Sequence, residues 1–157
     1  SIANVGGDTG FCNMYMALEA LPNRLRKRIS GLSIKHDASK TSGGYLRKGF
    51  EEVRDVSQTI GAVHPIIRMH PESGREVLYL GRRLNAYIMD MPVEASEALL
   101  DEIWSYTTRE EHIWHHQWRV GDVVFWDNRA VMHRRDAFDA GERRVMHRTQ
   151  IGNRLPT

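Results

Sequence analysis

One stretch of the chain has apolar residues at helical spacing, namely Ala95, Leu99, Ile103 and Tyr106. Residues three or four apart lie on one face of a helix, so this spacing predicts an amphipathic helix over 93–106. Two shorter helices are predicted at 13–21, which Pro22 ends, and at 24–29, where Asn23 can serve as the N-cap. These helices leave most of the chain for strands, turns and loops.

Short apolar runs separated by turn residues make up much of the remaining chain. Strands predicted at 63–69 and 76–80 are joined by turn residues at 70–74, which indicates a β-hairpin. Four more strands are predicted in the last third, at 113–119, 123–126, 130–133 and 143–151. Such a series of short strands is typical of sandwiches and barrels, jelly rolls among them. The predicted fold class is mainly β with flanking helices.

Composition excludes several classes of protein. A chain of 157 residues suits one domain, and 41% hydrophobic with 27% charged residues is ordinary for a soluble globular protein. The net charge of +2 gives no argument for a nucleic-acid or membrane partner. No apolar run reaches the roughly 18 residues that a membrane-spanning helix needs.

The single cysteine and the first residue bear on where the protein works and how the chain begins. Cys12 cannot form an intrachain disulfide, which predicts a reducing cytoplasm. The sequence at 1–4 lacks the charged and apolar regions of a signal peptide. Because the first residue is Ser1 rather than Met, we expect the natural sequence to continue upstream.

The densest histidine cluster consists of His112, His115 and His116. On a helix these three side chains would share one face and could bind zinc, as in a zinc hydrolase. On the predicted strand, His115 points to the opposite face from the other two. We therefore expect solvated or interface histidines at these positions.

Two arginines near the end of the chain indicate a site for anions. If 143–151 is a strand, Arg144 and Arg148 point to one face, about 13 Å apart, with His133 on a nearby strand. One imidazole and two guanidinium groups suit a metal with two anionic small molecules. The alternative is surface ion pairs with neighbouring carboxylates, at Asp136, Asp139 and Glu142.

An ordered set of motifs extends over the whole chain: Gly6-Gly7-Asp8-Thr9, His64-Pro65-Ile66-Ile67-Arg68, His70-Pro71-Glu72-Ser73-Gly74-Arg75, Trp126-Asp127-Asn128-Arg129, His133 and Arg143-Arg144-Val145-Met146-His147-Arg148. This set resembles the iron(II)/2-oxoglutarate dioxygenases of the taurine dioxygenase (TauD/TfdA) family. The resemblance implies a double-stranded β-helix, or jelly roll, incomplete at its N-terminus. The chain 1–157 would then be the C-terminal portion of a single dioxygenase domain.

The resemblance also implies roles for individual residues. His133 matches the distal histidine of the two-histidine, one-carboxylate iron site and is the catalytic metal ligand. Thr9 and Arg144 match the residues that bind the distal carboxylate of 2-oxoglutarate. Arg148 matches the arginine that binds the acidic group of the prime substrate, and Trp126 would pack near the metal. The cofactors implied are Fe(II), 2-oxoglutarate as co-substrate, and O₂.

The implied activity is hydroxylation of a small organic acid, with release of succinate and CO₂. The substrate would be a sulfonate, a sulfate ester or an aryloxy-carboxylate, and the protein a homo-oligomer, either a dimer or a tetramer. The loop at 40–49 is a candidate lid over the substrate.

One departure from the family pattern is serious. The family's other two iron ligands form a His-x-Asp pair upstream of the Gly-Gly-Asp-Thr motif, and we expect neither a His-x-Asp nor a His-x-Glu pair in this chain. We therefore expect the chain by itself to hold no iron. The alternative function is a non-catalytic jelly-roll remnant that binds a small anion without iron.

Overall fold

The computed structural model describes residues 6–41, 43–81 and 85–152. The helices are α1 (Met14–Glu19), α2 (Asn23–Ile29) and α3 (Val93–Thr107). Single 3₁₀ turns occur at Val56–Gln58 and Glu110–His112. The strands are β1 (Thr9–Asn13), β2 (Ser33–Asp37), β3 (Gly61–Pro65), β4 (Ile67–Met69), β5 (Glu76–Leu78), β6 (Tyr87–Ile88), β7 (Ile113–His116) and β8 (Val131–Arg135). The protein is mainly β with helices packed on it, as predicted. No helix among the described residues has the length and apolar character to cross a bilayer.

The strands form three antiparallel sheets. β1 is the central strand of the first sheet, with β7 on one side and β8 on the other. The second sheet has the order β3-β2-β6, and β4 pairs with β5 in a hairpin. This hairpin confirms the predicted one only in part. The first predicted strand, 63–69, is divided between β3 and β4, which lie in different sheets, and the second strand ends at Leu78 rather than at residue 80.

The two faces of the β7-β1-β8 sheet have different environments. Side chains alternate between the faces of a strand, so Cys12 lies on the face opposite to Phe11. Cys12 belongs to the hydrophobic core, and Ile113 and Met132, which lie directly opposite it, pack against that core. We call this the inner face, and the face that carries Phe11 the outer face.

The core lies between the sheets and the helices. Leu99, Leu100 and Ile103 of α3 are fully buried and contribute about 1.5–3 kcal/mol each through burial. Ser96 fastens α3 to the second sheet, because its Oγ accepts a 2.8 Å hydrogen bond from the backbone N–H of Ile88. The periodic pattern at 93–106 therefore predicted the helix whose apolar face packs into the core.

The first helix begins at the end of a strand. Asn13 is the last residue of β1, and its side-chain oxygen accepts hydrogen bonds from the backbone N–H groups of Tyr15 and Met16. Capping satisfies donors that the first helical turn leaves without partners. The prediction had Asn13 inside a helix and Asn23 as a cap, whereas Asn23 is the first residue of α2 and Pro22 occupies the cap position.

Two observed strands were not predicted, and two predicted strands are wrong. β1 and β2 are central strands, although no strand was predicted at 9–13 or at 33–37. The segments 123–126 and 143–151, predicted as strands, are irregular. A strand needs a neighbour for its backbone hydrogen bonds, and none of the described strands lies beside either segment.

The candidate lid at 40–49 contains a tight turn. Lys40 and Leu46 form a bridge, and the backbone N–H of Thr41 donates to the carbonyl of Tyr45 at 2.8 Å. Tyr45 is exposed at the tip. Residue 42 lies outside the described residues, and the closing of this loop over a substrate stays a prediction.

Candidate active site

The outer face of the β7-β1-β8 sheet brings together residues that are distant in sequence. In the register of β1, Thr9 lies opposite His116 and Arg135, and Phe11 lies opposite Trp114 and His133. Directly opposite residues share a face of an antiparallel sheet, and residues two apart along a strand do as well. Thr9 and His133, predicted as site residues, therefore lie on the same face.

Thr9 is buried and has one hydrogen bond already in place. Its Oγ1 accepts a 2.9 Å hydrogen bond from Nε1 of Trp118. A threonine hydroxyl can accept and donate at once, so the Thr9 O–H remains able to donate to an oxygen of a ligand. The Trp118 contact orients this hydroxyl, and the prediction from sequence did not include it.

His133 packs in a cluster of aromatic rings. Its ring centroid lies 5.0 Å from that of Trp126 and 6.3 Å from that of Phe11. Burial lowers the pKa of His133, and the nearby charge of Arg148 lowers it further. A neutral imidazole is the form that binds a metal ion, so His133 fits the part of one metal ligand.

Two consecutive glycines place the chain before β1 against the C-terminal segment. Gly7 has a φ of +73°, and a Cβ there would lie 3.3 Å from Cδ and Nε of Arg144 and 3.5 Å from Cδ1 of Phe138. Gly6 has a φ of +76°, and a Cβ there would lie 2.5 Å from the carbonyl oxygen of Ala137. The Gly-Gly pair therefore permits both the left-handed backbone and the close approach of Arg144.

Arg144 and Arg148 reach this region without the strand that was predicted for them. Arg144 lies beside Gly7, two residues before Thr9, and the charge of Arg148 is felt at His133. Within the described parts of the chain, no carboxylate pairs with either arginine, so the ion-pair alternative is not supported. Asp136 instead contacts Arg134 at 3.4 Å and His115 at 3.7 Å.

His70 joins the β4–β5 turn to the segment that precedes β8. Its Nε2 lies 3.1 Å from Oδ2 of Asp127, and its Nδ1 accepts a 3.2 Å hydrogen bond from the backbone N–H of Ser73. The Arg129 guanidinium contacts the carboxylates of both Asp127 and Glu72, and its hydrogen bonds hold the pKa of Asp127 well below its usual range. The turn role predicted for His70 is confirmed.

His70, Glu72 and Asp127 are close enough together to resemble a metal site. The first two form a His-x-Glu pair, so the expectation that the chain contains no such pair is wrong. Their polar groups already have partners, however. Arg129 pairs with both carboxylates, and because Nδ1 of His70 accepts from Ser73, its Nε2 carries the proton donated to Asp127. These residues form a salt-bridge network, and His133 is not among them.

The three clustered histidines have separate partners. Nδ1 of His112 lies 3.1 Å from the carbonyl oxygen of Thr107. His115 lies 2.7 Å from Glu110. Nε2 of His116 lies 3.1 Å from Asp122. His115 and His116 are on opposite faces of β7, and this geometry does not support a shared zinc ion.

Comparisons with known proteins agree with the motifs. The family model for taurine catabolism dioxygenases of the TauD, TfdA family matches residues 1–150. The chain is 35% identical over 144 residues to the alpha-ketoglutarate-dependent 2,4-dichlorophenoxyacetate dioxygenase of Cupriavidus pinatubonensis, with 91% of this chain and 49% of that protein covered. It is 34% identical over 155 residues to the (S)-phenoxypropionate/alpha-ketoglutarate-dioxygenase of Sphingobium herbicidovorans, with 96% and 54% covered.

The solved structures include similar folds. The crystal structure of AAD-2 in complex with Mn(II) and N-oxalylglycine is similar to this chain with a TM-score of 0.75 and 30% sequence identity, over 90% of this chain and 56% of that chain. The chain spans about half the length of the curated relatives it matches.

Proposed function

Because the chain belongs to the TauD/TfdA family of dioxygenases, we propose that the complete protein is an Fe(II)/2-oxoglutarate-dependent dioxygenase that hydroxylates a small organic acid. The observation that carries this proposal is the outer face of the β7-β1-β8 sheet. Thr9 and His133 share this face, and Arg144 lies beside Gly7 at its edge. A metal ligand, a hydroxyl donor and a guanidinium are the groups needed to bind a metal ion and a keto acid together.

Each of these residues has a separate task in the proposal. His133 supplies one imidazole ligand to the iron. Thr9 donates its hydroxyl hydrogen, and Arg144 its guanidinium hydrogens, to the distal carboxylate of 2-oxoglutarate. Bound iron would supply the O₂ chemistry that converts 2-oxoglutarate to succinate and CO₂ while the substrate is hydroxylated. The protein's contribution is to orient the reactants and to keep the imidazole of His133 neutral.

The proposed domain is a jelly roll to which this chain contributes one part. We propose that the remaining iron ligands lie outside 1–157. The one group of three metal-ligating side chains among the described residues does not include His133. The antiparallel sheets and the similarity to solved dioxygenases support this fold. The chain by itself is expected to hold no iron, which metal analysis of the purified 157-residue chain would check.

Arg148 is the residue that we propose binds the acidic group of the prime substrate. A guanidinium suits a sulfonate, a sulfate ester or a carboxylate. The two relatives described above act on 2,4-dichlorophenoxyacetate and on (S)-phenoxypropionate, which supports testing aryloxy-carboxylates first. The side chain lies close enough to His133 for its charge to be felt there, as a substrate held near the metal requires.

The test is O₂ uptake by the complete protein, supplied with Fe(II) and 2-oxoglutarate, against a panel of aryloxy-carboxylates, sulfonates and sulfate esters. We expect one class to stimulate O₂ uptake with an equal amount of succinate formed. The Arg144→Ala variant should bind 2-oxoglutarate at least about tenfold more weakly, because a carboxylate loses a charged hydrogen-bond partner. An unchanged affinity for 2-oxoglutarate would show that Arg144 has another role.

The same experiment distinguishes a second candidate function. Among the described residues, no group of three metal-ligating side chains includes His133, which favours an anion-binding protein without catalysis if the complete sequence adds no further ligands. Such a protein would bind 2-oxoglutarate but would neither consume O₂ nor form succinate. A His-x-Asp pair in the complete sequence, upstream of Thr9, would support the dioxygenase.

A further inference from the structure

Arg135 occupies a position on the outer face that no role has yet explained. It lies directly opposite Thr9 in the β1–β8 pairing and two residues after His133, so its side chain leaves the same face of the sheet as both. Its neighbour Arg134 lies opposite Gly10 and leaves the inner face. Adjacent arginines on one strand are therefore directed to different sides.

The guanidinium of Arg135 is held in place by an aromatic ring. It lies over Phe138, with 4.8 Å between Cζ and the ring centroid. A guanidinium stacked on a ring keeps the edges of its fork free to donate hydrogen bonds in the ring plane. Phe138 and Arg144 also both lie beside Gly7, 3.5 Å and 3.3 Å from where a Cβ would stand. Arg135 and Arg144 are therefore both neighbours of the segment that leads into Thr9.

The two guanidinium groups are close enough to repel each other. Burial lowers the pKa of Arg144, and the charge of Arg135 lowers it further. No carboxylate pairs with Arg135 or Arg144 among the residues that the structure describes. Many other arginines of the chain do have carboxylate partners, namely Arg24, Arg26, Arg28, Arg75, Arg109, Arg129 and Arg134.

Two like charges placed together without a counter-charge are unfavourable, and a bound anion relieves the repulsion. We propose that Arg135 is a second guanidinium of the 2-oxoglutarate subsite, binding the distal carboxylate together with Thr9 and Arg144. This inference rests on the proposed function. It adds a binding residue from strand β8 itself, so the same strand would supply both the metal ligand His133 and a residue that binds the co-substrate.

Two guanidinium groups and one hydroxyl can bind a carboxylate on several sides at once. Arg144 approaches from the C-terminal segment, Thr9 from β1 and Arg135 from β8. A carboxylate has about four lone-pair sites, enough for all three donors. The arrangement favours a ligand with a free carboxylate at its far end. Succinate has such a carboxylate but lacks the keto acid group that would bind the metal, so it probes this subsite alone.

The test is equilibrium binding of 2-oxoglutarate and of succinate to the complete protein, measured by calorimetry without O₂. We expect Arg135→Ala to weaken both ligands by about tenfold or more, since a hydrogen-bonded charge pair is lost. Arg135→Lys keeps the charge but not the fork, and its affinity should fall between those of the parent and the alanine variant. Arg134→Ala is the matched control, because this side chain leaves the other face and pairs with Asp136.

The outcomes separate this inference from the proposed function. If Arg144→Ala weakens both ligands and Arg135→Ala, folded as judged by circular dichroism, binds like the parent, the role of Arg135 is refuted and the proposed function is untouched. If Arg134→Ala weakens binding as much as Arg135→Ala does, the effect is general charge and the inference is refuted. If the parent binds both ligands but never consumes O₂, the dioxygenase proposal fails while a dependence on Arg135 still supports the subsite.

Discussion

The two faces of the β7-β1-β8 sheet differ in what surrounds them, although the same strands make both. On the inner face, Cys12 is buried and its Sγ donates to the carbonyl of Thr107 at 3.3 Å. Burial raises the pKa of this thiol to about 11, so it stays protonated and unreactive. On the outer face, Thr9 and His133 present a hydroxyl and an imidazole. The alternation of side chains along a strand lets one short segment contribute to the core and to the candidate site.

The difference teaches how a polar site is kept rigid. Aliphatic side chains pack against the inner face, whereas aromatic rings pack together on the outer face. Phe11 stacks on Trp114 with 5.5 Å between centroids and contacts Trp126 at 5.2 Å. The rings of Phe11 and Trp126 pack beside His133 and offer no ligand to a metal ion.

The sharpest test of this comparison uses two adjacent residues of β8. Met132→Ala removes a side chain that packs against the core, and we expect the free energy of unfolding to fall by about 2 kcal/mol. His133→Ala removes the proposed metal ligand, and Mn(II) affinity should fall by more than the roughly 100-fold that losing an outer-shell partner costs. Urea denaturation and metal titration of the complete protein measure both effects in both variants.

The two variants serve as controls for each other. Met132→Ala should leave metal affinity unchanged in the folded fraction, and His133→Ala should change the free energy of unfolding in metal-free protein by less than Met132→Ala does. A methionine variant that loses metal as completely as the histidine variant would mean that the faces are not separate in function.

The second test concerns the network that joins the β4–β5 turn to the start of β8. Asp127→Ala leaves the buried His70 without its acceptor, and we expect the free energy of unfolding to fall by about 1–3 kcal/mol. The pKa of Asp127 is lowered, so its stabilising effect is present above the ordinary carboxyl value of 3.8 and is lost as the pH falls below it. Denaturation of parent and variant at pH 7 and at pH 3 measures this.

Glu72→Gln is the matched control for this network. Glu72 contacts the same arginine but is exposed, and loss of an exposed ion pair costs about 0–1 kcal/mol. If both variants lose equal stability, the network is a surface feature that does not hold the segment before β8. If Asp127→Ala also weakens metal binding, the network helps to position His133 and the two faces are coupled through it.

The elements predicted best from the sequence are those whose residue pattern lies within one continuous segment of the chain. Helix α3 has four apolar residues at helical spacing, and the β4–β5 hairpin has its turn residues between its strands, so local rules sufficed. Strand β1 was missed because glycines precede it and Asn13 caps the following helix, which made the segment resemble a turn and a helix start. Its strand character comes from two neighbours more than 100 residues away.

The candidate site was predicted through motifs rather than through geometry. The roles of Thr9, His133, Arg144 and Arg148 come from the resemblance and stay predictions, and the spacing argument that placed both arginines on one strand was wrong. Arg135 and Trp118 have no local signal, because their relevance follows from register and ring packing. The contact of Asp127 with His70 crosses 57 residues, and no local pattern predicts it.

The smallest expected effect concerns the charge that Arg148 places near His133. Because burial and this charge both lower the pKa of His133, the folded protein takes up its proton less readily than the unfolded chain. Stability from this group is complete above the ordinary value of 6.5 and is lost as the pH falls from there toward the folded pKa. Arg148→Ala should raise the pKa of His133 toward 6.5 and so narrow the pH range over which this stability is lost.

Nuclear magnetic resonance titration of the His133 ring Cε1–H signal in metal-free protein measures this pKa directly. Arg148→Lys should leave it close to the parent value, since the charge is kept, and Arg134→Ala is a second control because that arginine is directed to the inner face. A pKa that rises equally in Arg134→Ala and Arg148→Ala would show that the two faces share one electrostatic environment. A rise confined to Arg148→Ala would locate Arg148 on the side of His133 where an anionic substrate could approach the metal ligand.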